Sequence, residues 1–408
     1  MENAIYIKKN KGEILAKVNL PASKSITNRA LIINSLSGGV INIINPSDAQ
    51  DSIILHELLN EKRDIYNVGH AGTVMRFLTA LFAIKEGQII LTGSERMKQR
   101  PVKELTQALI SLGADIQYME KEGYPPLKIS GQKLHGGKIN IDSSISSQFI
   151  SSILMIAPYL ENGLEINLEG KIISAPYIEM TINMMRNCGI LVEKKDKLIL
   201  VKQGIYKPSN INVEKDWSAA SYWYQVVALS NKATITLNGL SKKTVQGDSE
   251  LDTIFKNFGV HSQESEEGIV LKKLNHPIVT QFDFDFSNCP DLAQTVAVTM
   301  AAKGIKGTLT GLKSLKIKET DRIIALSSEL KKLGVQTRCG PDFIEIFSSK
   351  INNPGVSIET YQDHRMAMAC APLASILGEI KIKNPGVVKK SYPGFWIELE
   401  NAGFEITV

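Results

Sequence analysis

Apolar and polar positions alternate along the chain in two recurring rhythms. In the first, apolar residues return with helical spacing and the run closes on a glycine. The copies are ELTQALISLGADIQYM, IEMTINMMRNCGILVEKK, LDTIFKNFGVHSQES, LSSELKKLGVQTRCG and WIELENAGFEITV. Each reads as an amphipathic helix followed by a short strand. The closing glycines are Gly113, Gly189, Gly259, Gly334 and Gly403, separated by 76, 70, 75 and 69 residues. A helix C-terminus commonly needs a left-handed residue, which glycine supplies at little cost, so one copy carries no information. Five at near-regular spacing read as a repeat. AQDSIILHELLNEKRDIYNVG is a degraded sixth copy in which Lys62 and Arg63 replace the usual Leu-Gly. The second rhythm is a set of strand-like runs between these helices: GQIILTG, LEINLEG, ATITLNG and GTLTGL.

Strands and helices therefore alternate in a repeat of roughly 70 residues, larger than a solenoid repeat. Six of them make two domains of three, in the α/β or α+β class. The length of 408 residues, more than one hydrophobic core comfortably serves, agrees. Composition narrows the class further. With 43% apolar and 22% charged residues the chain is neither disordered nor fibrous. A net charge of +5 is too weak and dispersed for a nucleic-acid binder but suits an anionic small molecule. Cys188, Cys289, Cys339 and Cys370 stand far apart, so neither a disulfide framework nor a zinc site is expected. The start of the chain, MENAIYIKKNKGEI, lacks the apolar core of a signal peptide, and no run approaches the length of a membrane span. The expectation is a soluble protein of a reducing cytoplasm, with no membrane partner.

Charged and hydroxyl residues gather where helices should begin. LPASKSITNRALIINSLSGG carries Lys24, Ser25 and Arg29, and VGHAGTVMRFLTALFAI carries Gly69, Gly72, Thr73 and Arg76. GSERMKQRPV packs Arg96, Lys98 and Arg100 into a short loop, and SSISSQFISSILMIAPYL puts Ser146, Ser147 and Gln148 before an apolar helix. LKIKETDRIIAL has Lys318, Glu319, Asp321 and Arg322; TYQDHRMAMACAPLA has Asp363, His364 and Arg365; VVKKSYPGFW has Lys389 and Lys390. For any one segment, Ser, Thr or Asp as an N-cap is the simpler explanation, worth about 1 kcal/mol each. The cations are harder to dismiss, because Lys and Arg are unfavourable at the positive end of a helix dipole. An anion bound among them would relieve that conflict. The cationic segments fall in both halves of the chain, as two half-sites for a polyanionic substrate would require.

Taken in order, PASKSITNRA, AGTVMRFLTA, RMKQRPV, SSQF, PDLAQT, KETDR, DHRMAMA and KKSYPGFW resemble the motifs of the 5-enolpyruvylshikimate-3-phosphate synthase family. The resemblance runs from about residue 20 to 397, and eight ordered motifs make it specific. It implies a two-domain inside-out α/β barrel, each domain built from three βαβαββ repeats, with the active site in the interdomain cleft. Residues 21–215 would form one domain, and residues 1–20 plus 216–408 the other, with a hinge at VEKDWSAASY where Asp216 falls. The implied reaction transfers the enolpyruvyl group of phosphoenolpyruvate to the 5-hydroxyl of shikimate 3-phosphate. It passes through a tetrahedral intermediate, releases phosphate, belongs to aromatic amino acid biosynthesis, and needs no metal or organic cofactor. A monomer is expected, with no nucleic-acid partner.

Carried over by motif, Lys24, Ser25, Arg29, Ser146, Ser147, Gln148, Ser174, Tyr177, Asp291 and Lys318 would hold shikimate 3-phosphate. Lys24, Gly72, Arg100, Gln148, Arg322, Arg365 and Lys390 would hold phosphoenolpyruvate. Arginine suits such a ligand because a guanidinium donates two parallel bonds to a carboxylate or phosphate. The resemblance makes Asp291 the base on the 5-hydroxyl and Glu319 the group for proton transfers at C3. Lys24, His364 and Lys390 would stabilise and protonate the leaving phosphate.

Three departures from the family pattern stand out. His70 replaces a common Asn, Phe77 a common Pro, and Ser314 an Asn that often contacts the shikimate ligand. Gly72 keeps the phosphoenolpyruvate site open as in glyphosate-sensitive members, so sensitivity is expected. Of the rivals, UDP-N-acetylglucosamine enolpyruvyl transferase typically carries a reactive Cys, or sometimes an Asp, in the loop matching GSERMKQRPV, which here has neither. An RNA-end-processing protein would show aromatic-basic interleaving, which is lacking. A catalytically dead binder would not keep the full set of charged motifs.

Overall fold

The computed structural model describes residues 3–10, 12–274, 278–347, 351–353 and 355–408. The chain divides into two compact lobes. A terminal lobe comprises Met1–Ala22, Asp48–Gln50 and Glu214–Val408; an inserted lobe comprises Ser23–Ser47 and Asp51–Val213.

Two repeats of the inserted lobe are continuous in sequence. One runs strand Ile65–Asn67, helix Gly72–Ile84, strand Gly87–Thr92, helix Lys103–Ser111, then strands Asp115–Tyr118 and Leu127–Gly131. The first two strands pair in parallel, and the closing hairpin returns antiparallel to the second. The next repeats this βαβαββ order with strands Gly137–Asp142, Leu164–Glu169, Val192–Lys195 and Leu198–Val201 and helices Ser147–Ile156 and Ala175–Asn187. The third is split and shortened. Strand Ser209–Asn212 pairs in parallel with Ile41–Ile44, helices Lys24–Leu36 and Gln50–Asn60 belong with them, and this sheet has two strands.

The terminal lobe holds three four-stranded sheets of the same design. Its first repeat takes the leading strand, Ile14–Asn19, from before the inserted lobe and its helix, Trp217–Leu229, from after it. The second is continuous from Phe284 to Ile346. The last runs from Ser357 to Thr407 and closes on strand Ala4–Lys9, which lies between Glu379–Lys383 and Phe404–Thr407. Where the chain passes between lobes its two segments pair. Ala22 bridges Lys215, the Asp216 N–H donates to the Pro21 carbonyl at 3.0 Å, and Lys215 Nζ donates to that of Leu20 at 2.9 Å.

The arrangement within each lobe is inside-out: helices pack together and sheets lie outside. Lys24–Leu36, Gly72–Ile84 and Ser147–Ile156 pack against one another in the inserted lobe, and Trp217–Leu229, Ala293–Lys303 and His364–Cys370 in the terminal lobe. Gly72–Ile84 and Trp217–Leu229 are buried on nearly every side, as their almost uninterrupted apolar sequences require. All five closing glycines are left-handed, with φ between +80° and +100°. The degraded copy differs for a physical reason. Its helix ends at Asn60, and the strand that follows, Ile65–Asn67, opens the next sheet instead of starting a hairpin.

Strand Ala4–Lys9 completes a sheet whose other strands come from the far end of the chain, so its core residue carries long-range stability. Ile7 is fully buried between Ile380 and Ile406. We expect Ile7→Ala to cost about 2–5 kcal/mol, read as a lower denaturant midpoint with little change in slope.

Candidate functional site

Every buried central helix begins with residues of chemical interest. In the inserted lobe, Lys24 opens the first helix, Gly72 the second and Ser147 the third, with Ser146 as its N-cap. Lys24 Nζ pairs with Asp51 at 3.0 Å. Ser146 Oγ accepts from the Gln148 N–H, and Gln148 Nε2 donates to Thr73 Oγ1 at 3.2 Å, so two helix starts are tied together. Gly72 leaves no room for a side chain. A Cβ there would lie 2.5 Å from both terminal nitrogens of Arg100 and 2.6 Å from Arg76 Nη1. Arg76 in turn donates to the Gly72 and Pro101 carbonyls, which clamps the helix start to the loop bearing Arg100.

Arg29 is 2% exposed and lies along its helix, not at the helix start. Its guanidinium donates to Thr181 Oγ1 at 2.7 Å, Ser151 Oγ at 3.1 Å and the Ser25 and Tyr177 carbonyls at 2.9 and 3.3 Å. Phe77 and Tyr177 stack against it, with ring centroids 5.4 and 5.8 Å away. The Phe77 departure therefore serves as a platform for a cation. Arg29 forms no ion pair with a carboxylate among the described residues, and burial pulls it down to about 10. Held by neutral groups alone, this buried cation keeps a desolvation cost that a bound anion would offset. Ser174, next to Tyr177 in the same turn, has a left-handed backbone (φ +54°), strained for a non-glycine residue. The His70 departure points Nδ1 at Ser94 Oγ, 3.0 Å away.

The terminal lobe solves its charge problem differently. Arg322, also 2% exposed, opens helix Arg322–Lys332 and binds three carboxylates: Asp363 at 2.6 Å, Glu319 at 2.9 Å and Asp291 at 3.0 Å. Asp291 uses its second oxygen for Arg365 at 2.8 Å, and Glu319 its second for Lys390. Burial opposes the Arg322 charge, but Asp363, Glu319 and Asp291 more than offset it and hold the guanidinium above its ordinary range. Arg365 Nη1 also reaches the Tyr222 hydroxyl at 3.5 Å, and burial pushes that phenol up to about 12. His364 is buried with Nδ1 3.7 Å from Asp363. Lys318 lies in the turn before Arg322, half-buried, and Ser314 is buried in the preceding turn. The turn before His364 is strained, with Tyr361 and Gln362 at φ +52° and +57°.

The motif residues thus fall into two sets, one in each lobe. One joins Ser25, Arg29 and Tyr177, and links Gly72 to Arg100 and Ser146 to Gln148. The other joins Asp291, Glu319, Arg322, Arg365 and Lys390 in one network. The conflict of cations at helix starts, read in the sequence as a call for an anion, is met at Arg322 and Arg365 by the chain's own carboxylates. Asp363 is the residue whose weight the sequence hid. It reads as an N-cap, and it does accept from the Arg365 N–H, yet it also anchors Arg322. Asp51, Thr181 and Tyr222 were likewise invisible, since single polar letters within apolar helices or turns carry no periodic signal.

The family model described as EPSP synthase (3-phosphoshikimate 1-carboxyvinyltransferase) matches residues 53–399. The 3-phosphoshikimate 1-carboxyvinyltransferase of Bacteroides fragilis is 46% identical over 406 residues, covering 99% of each chain. That of Mannheimia haemolytica is 38% identical, covering 94% of this chain and 96% of its own. Among solved structures, EPSP synthase from Acinetobacter baumannii superposes with a TM-score of 0.77 at 20% identity, covering 99% of this chain and 100% of that one. The enolpyruvyl transferase NikO from Streptomyces tendae reaches 0.77 at 12% identity, covering 100% and 99%. The two structures establish a shared two-domain α/β architecture, the enolpyruvyl transferase fold. Within it, this chain belongs to the EPSP synthase family.

Arg322 supplies the test of the network's role in folding. Arg322→Met leaves three buried carboxylates without their common partner and should cost about 3–5 kcal/mol at neutral pH. Thermal melts of the variant beside wild type would read the loss.

Proposed function

We propose that the chain transfers the enolpyruvyl group of phosphoenolpyruvate to the 5-hydroxyl of shikimate 3-phosphate, releasing phosphate. The observation that carries this reading is the Arg322 network, set beside the family's eight ordered motifs. Two cations suited to a carboxylate and a phosphate, Arg322 and Arg365, share one carboxylate, Asp291, which is suited to accept a hydroxyl proton. Among enolpyruvyl transferases, the family match favours the shikimate substrate over UDP-N-acetylglucosamine.

The residues carried over by motif divide by lobe. In the inserted lobe Ser25, Arg29, Ser146, Ser147, Gln148, Ser174 and Tyr177 hold shikimate 3-phosphate, and the uncompensated Arg29 is its principal cation. Lys24, Gly72 and Arg100 hold phosphoenolpyruvate from the same lobe, with Gln148 touching both ligands. In the terminal lobe Arg322, Arg365 and Lys390 exchange their internal carboxylates for the anionic groups of phosphoenolpyruvate. That exchange releases Asp291 to take the 5-hydroxyl proton as oxygen attacks C2, and Glu319 to deliver a proton to C3. Lys24, His364 and Lys390 then stabilise the departing phosphate, while Lys318 contacts the shikimate ligand. The enzyme works as a cytoplasmic monomer without metal or organic cofactor. No helix among the described residues is long and apolar enough to cross a membrane.

A phosphate-release assay tests the reading directly. Phosphate should appear only when both substrates are present; release from neither combination would sink it. Asp291→Asn and Glu319→Gln should each lower kcat by about 100-fold or more. Gly72→Ala should push the Arg100 guanidinium aside and raise the KM for phosphoenolpyruvate by about an order of magnitude, with a smaller effect on that for shikimate 3-phosphate.

A further inference from the structure

One buried carboxyl of the terminal lobe has no part in the mechanism above. Asp248 lies in the short turn Gly247–Glu250 and is 2% exposed. Ser218 Oγ donates to its Oδ2, while Oδ1 is buried without a hydrogen-bond partner. An ionised oxygen in that position is costly unless something nearby uses its charge.

The surroundings show what that is. Ser218 stands in the first turn of helix Trp217–Leu229, and Tyr222 follows it four residues later, on the same face of the helix. Ser218 holds Asp248, whereas Tyr222 receives Arg365, whose other arm grips Asp291. The turns carrying Asp248 and Asp291 both pack on this helix. The charged and titratable groups facing Asp248 are Asp291, Arg365 and the N-cap Asp216, and the Cys289 thiol feels both Asp248 and Asp291.

The geometry points to Asp248 as a positioning residue for the base: a buried carboxyl, held by Ser218, whose charge state sets how strongly Asp291 draws the substrate proton. This rests on the reading of Asp291 as the base. Asp248 itself takes no proton from substrate; it exchanges one with solvent. Burial, and next the Asp291 charge, push Asp248 up to about 7, against the Ser218 hydrogen bond and Arg365, so its charge changes near neutrality. Below that pH Asp248 is neutral and Asp291 is a weaker base. Above it the added negative charge makes Asp291 more basic, and the proton-transfer step is faster.

The test is the pH dependence of kcat for wild type, Asp248→Asn, Ser218→Ala and Asp291→Asn. The ratio of wild-type to Asp248→Asn kcat should be near one in mild acid and rise several-fold through neutrality, with both KM values little changed. Ser218→Ala removes the bond favouring the ionised form, so its rise should move to higher pH. Both variants should melt no more than a few degrees from wild type. A ratio independent of pH, whether one or a constant loss, would overturn the proposal, as would an unmoved Ser218→Ala profile. If Asp248→Asn does not fold, the Ser218→Ala profile decides alone. Asp291→Asn keeps the two readings apart: wild-type kcat in that variant removes the base assignment itself, whereas a collapsed kcat beside a pH-independent Asp248→Asn ratio removes only the role of Asp248.

Discussion

The terminal lobe depends on a guanidinium that is almost wholly buried. Arg322 takes its charge out of water, a step costing several kcal/mol unless the charge is matched. Three carboxylates match it, and two of these extend the pairing to Arg365 and Lys390. The six charges sum to zero. Each carboxylate comes from a different segment: Asp291 from the turn before Ala293–Lys303, Glu319 from the turn before Arg322, and Asp363 from the cap of His364–Cys370. The network therefore fixes three helix starts against one another as well as holding charge. A ligand that replaced one of these carboxylates would have to supply comparable negative charge.

The helix starts can be clustered because of how the repeats are built. Each repeat contributes a buried helix, and the motif residues gather where helices begin. The chain uses this plan six times but does not run it in sequence order. The first strand of the chain completes the last sheet, the second strand opens the first terminal-lobe sheet, and the inserted lobe interrupts that repeat between strand and helix. The segments that carry the chain in and out consequently lie side by side, bonded through Pro21, Ala22, Lys215 and Asp216. Asp216 also caps helix Trp217–Leu229 through the Ala219 N–H at 3.1 Å, so the return point doubles as a helix start.

Much of this was readable as pattern. The helix-glycine-strand rhythm located four hairpins and the strand Phe404–Thr407, because a left-handed residue is a local requirement that the letter G reports. It also flagged the sixth copy as degraded, and there the chain runs from Asn60 into strand Ile65–Asn67, which opens the next sheet in a parallel pair. What the sequence concealed is non-local. Strand Ala4–Lys9 gives no hint that its neighbours lie at residues 379–383 and 404–407, since pairing depends on loop closure across nearly the whole chain. The candidate site divides the same way. Cations at helix starts were visible as a violation of dipole preference, but their partners were not. Asp363 looked like a cap, and Thr181, Ser151 and Tyr222 like ordinary letters within helices.

Arg29 and Arg322 show why that distinction matters chemically. Both are 2% exposed guanidiniums. One is held by hydroxyls, carbonyls and ring faces and is pulled down to about 10; the other is held by carboxylates and lies above its ordinary range. A cation without a counter-ion stores the desolvation cost, and a bound anion recovers it without displacing anything. A cation already paired gives an anion only the difference between two partners. On the proposed reading, the inserted lobe is arranged for ground-state affinity and the terminal lobe for exchange, in which each carboxylate released becomes available as a base or acid. Strained backbone at Ser174, Tyr361 and Gln362 adjoins both sets, as expected where geometry is held against local preference. On the proposed reading, the group that holds substrate and the groups that transform it differ in how each arginine was neutralised during folding.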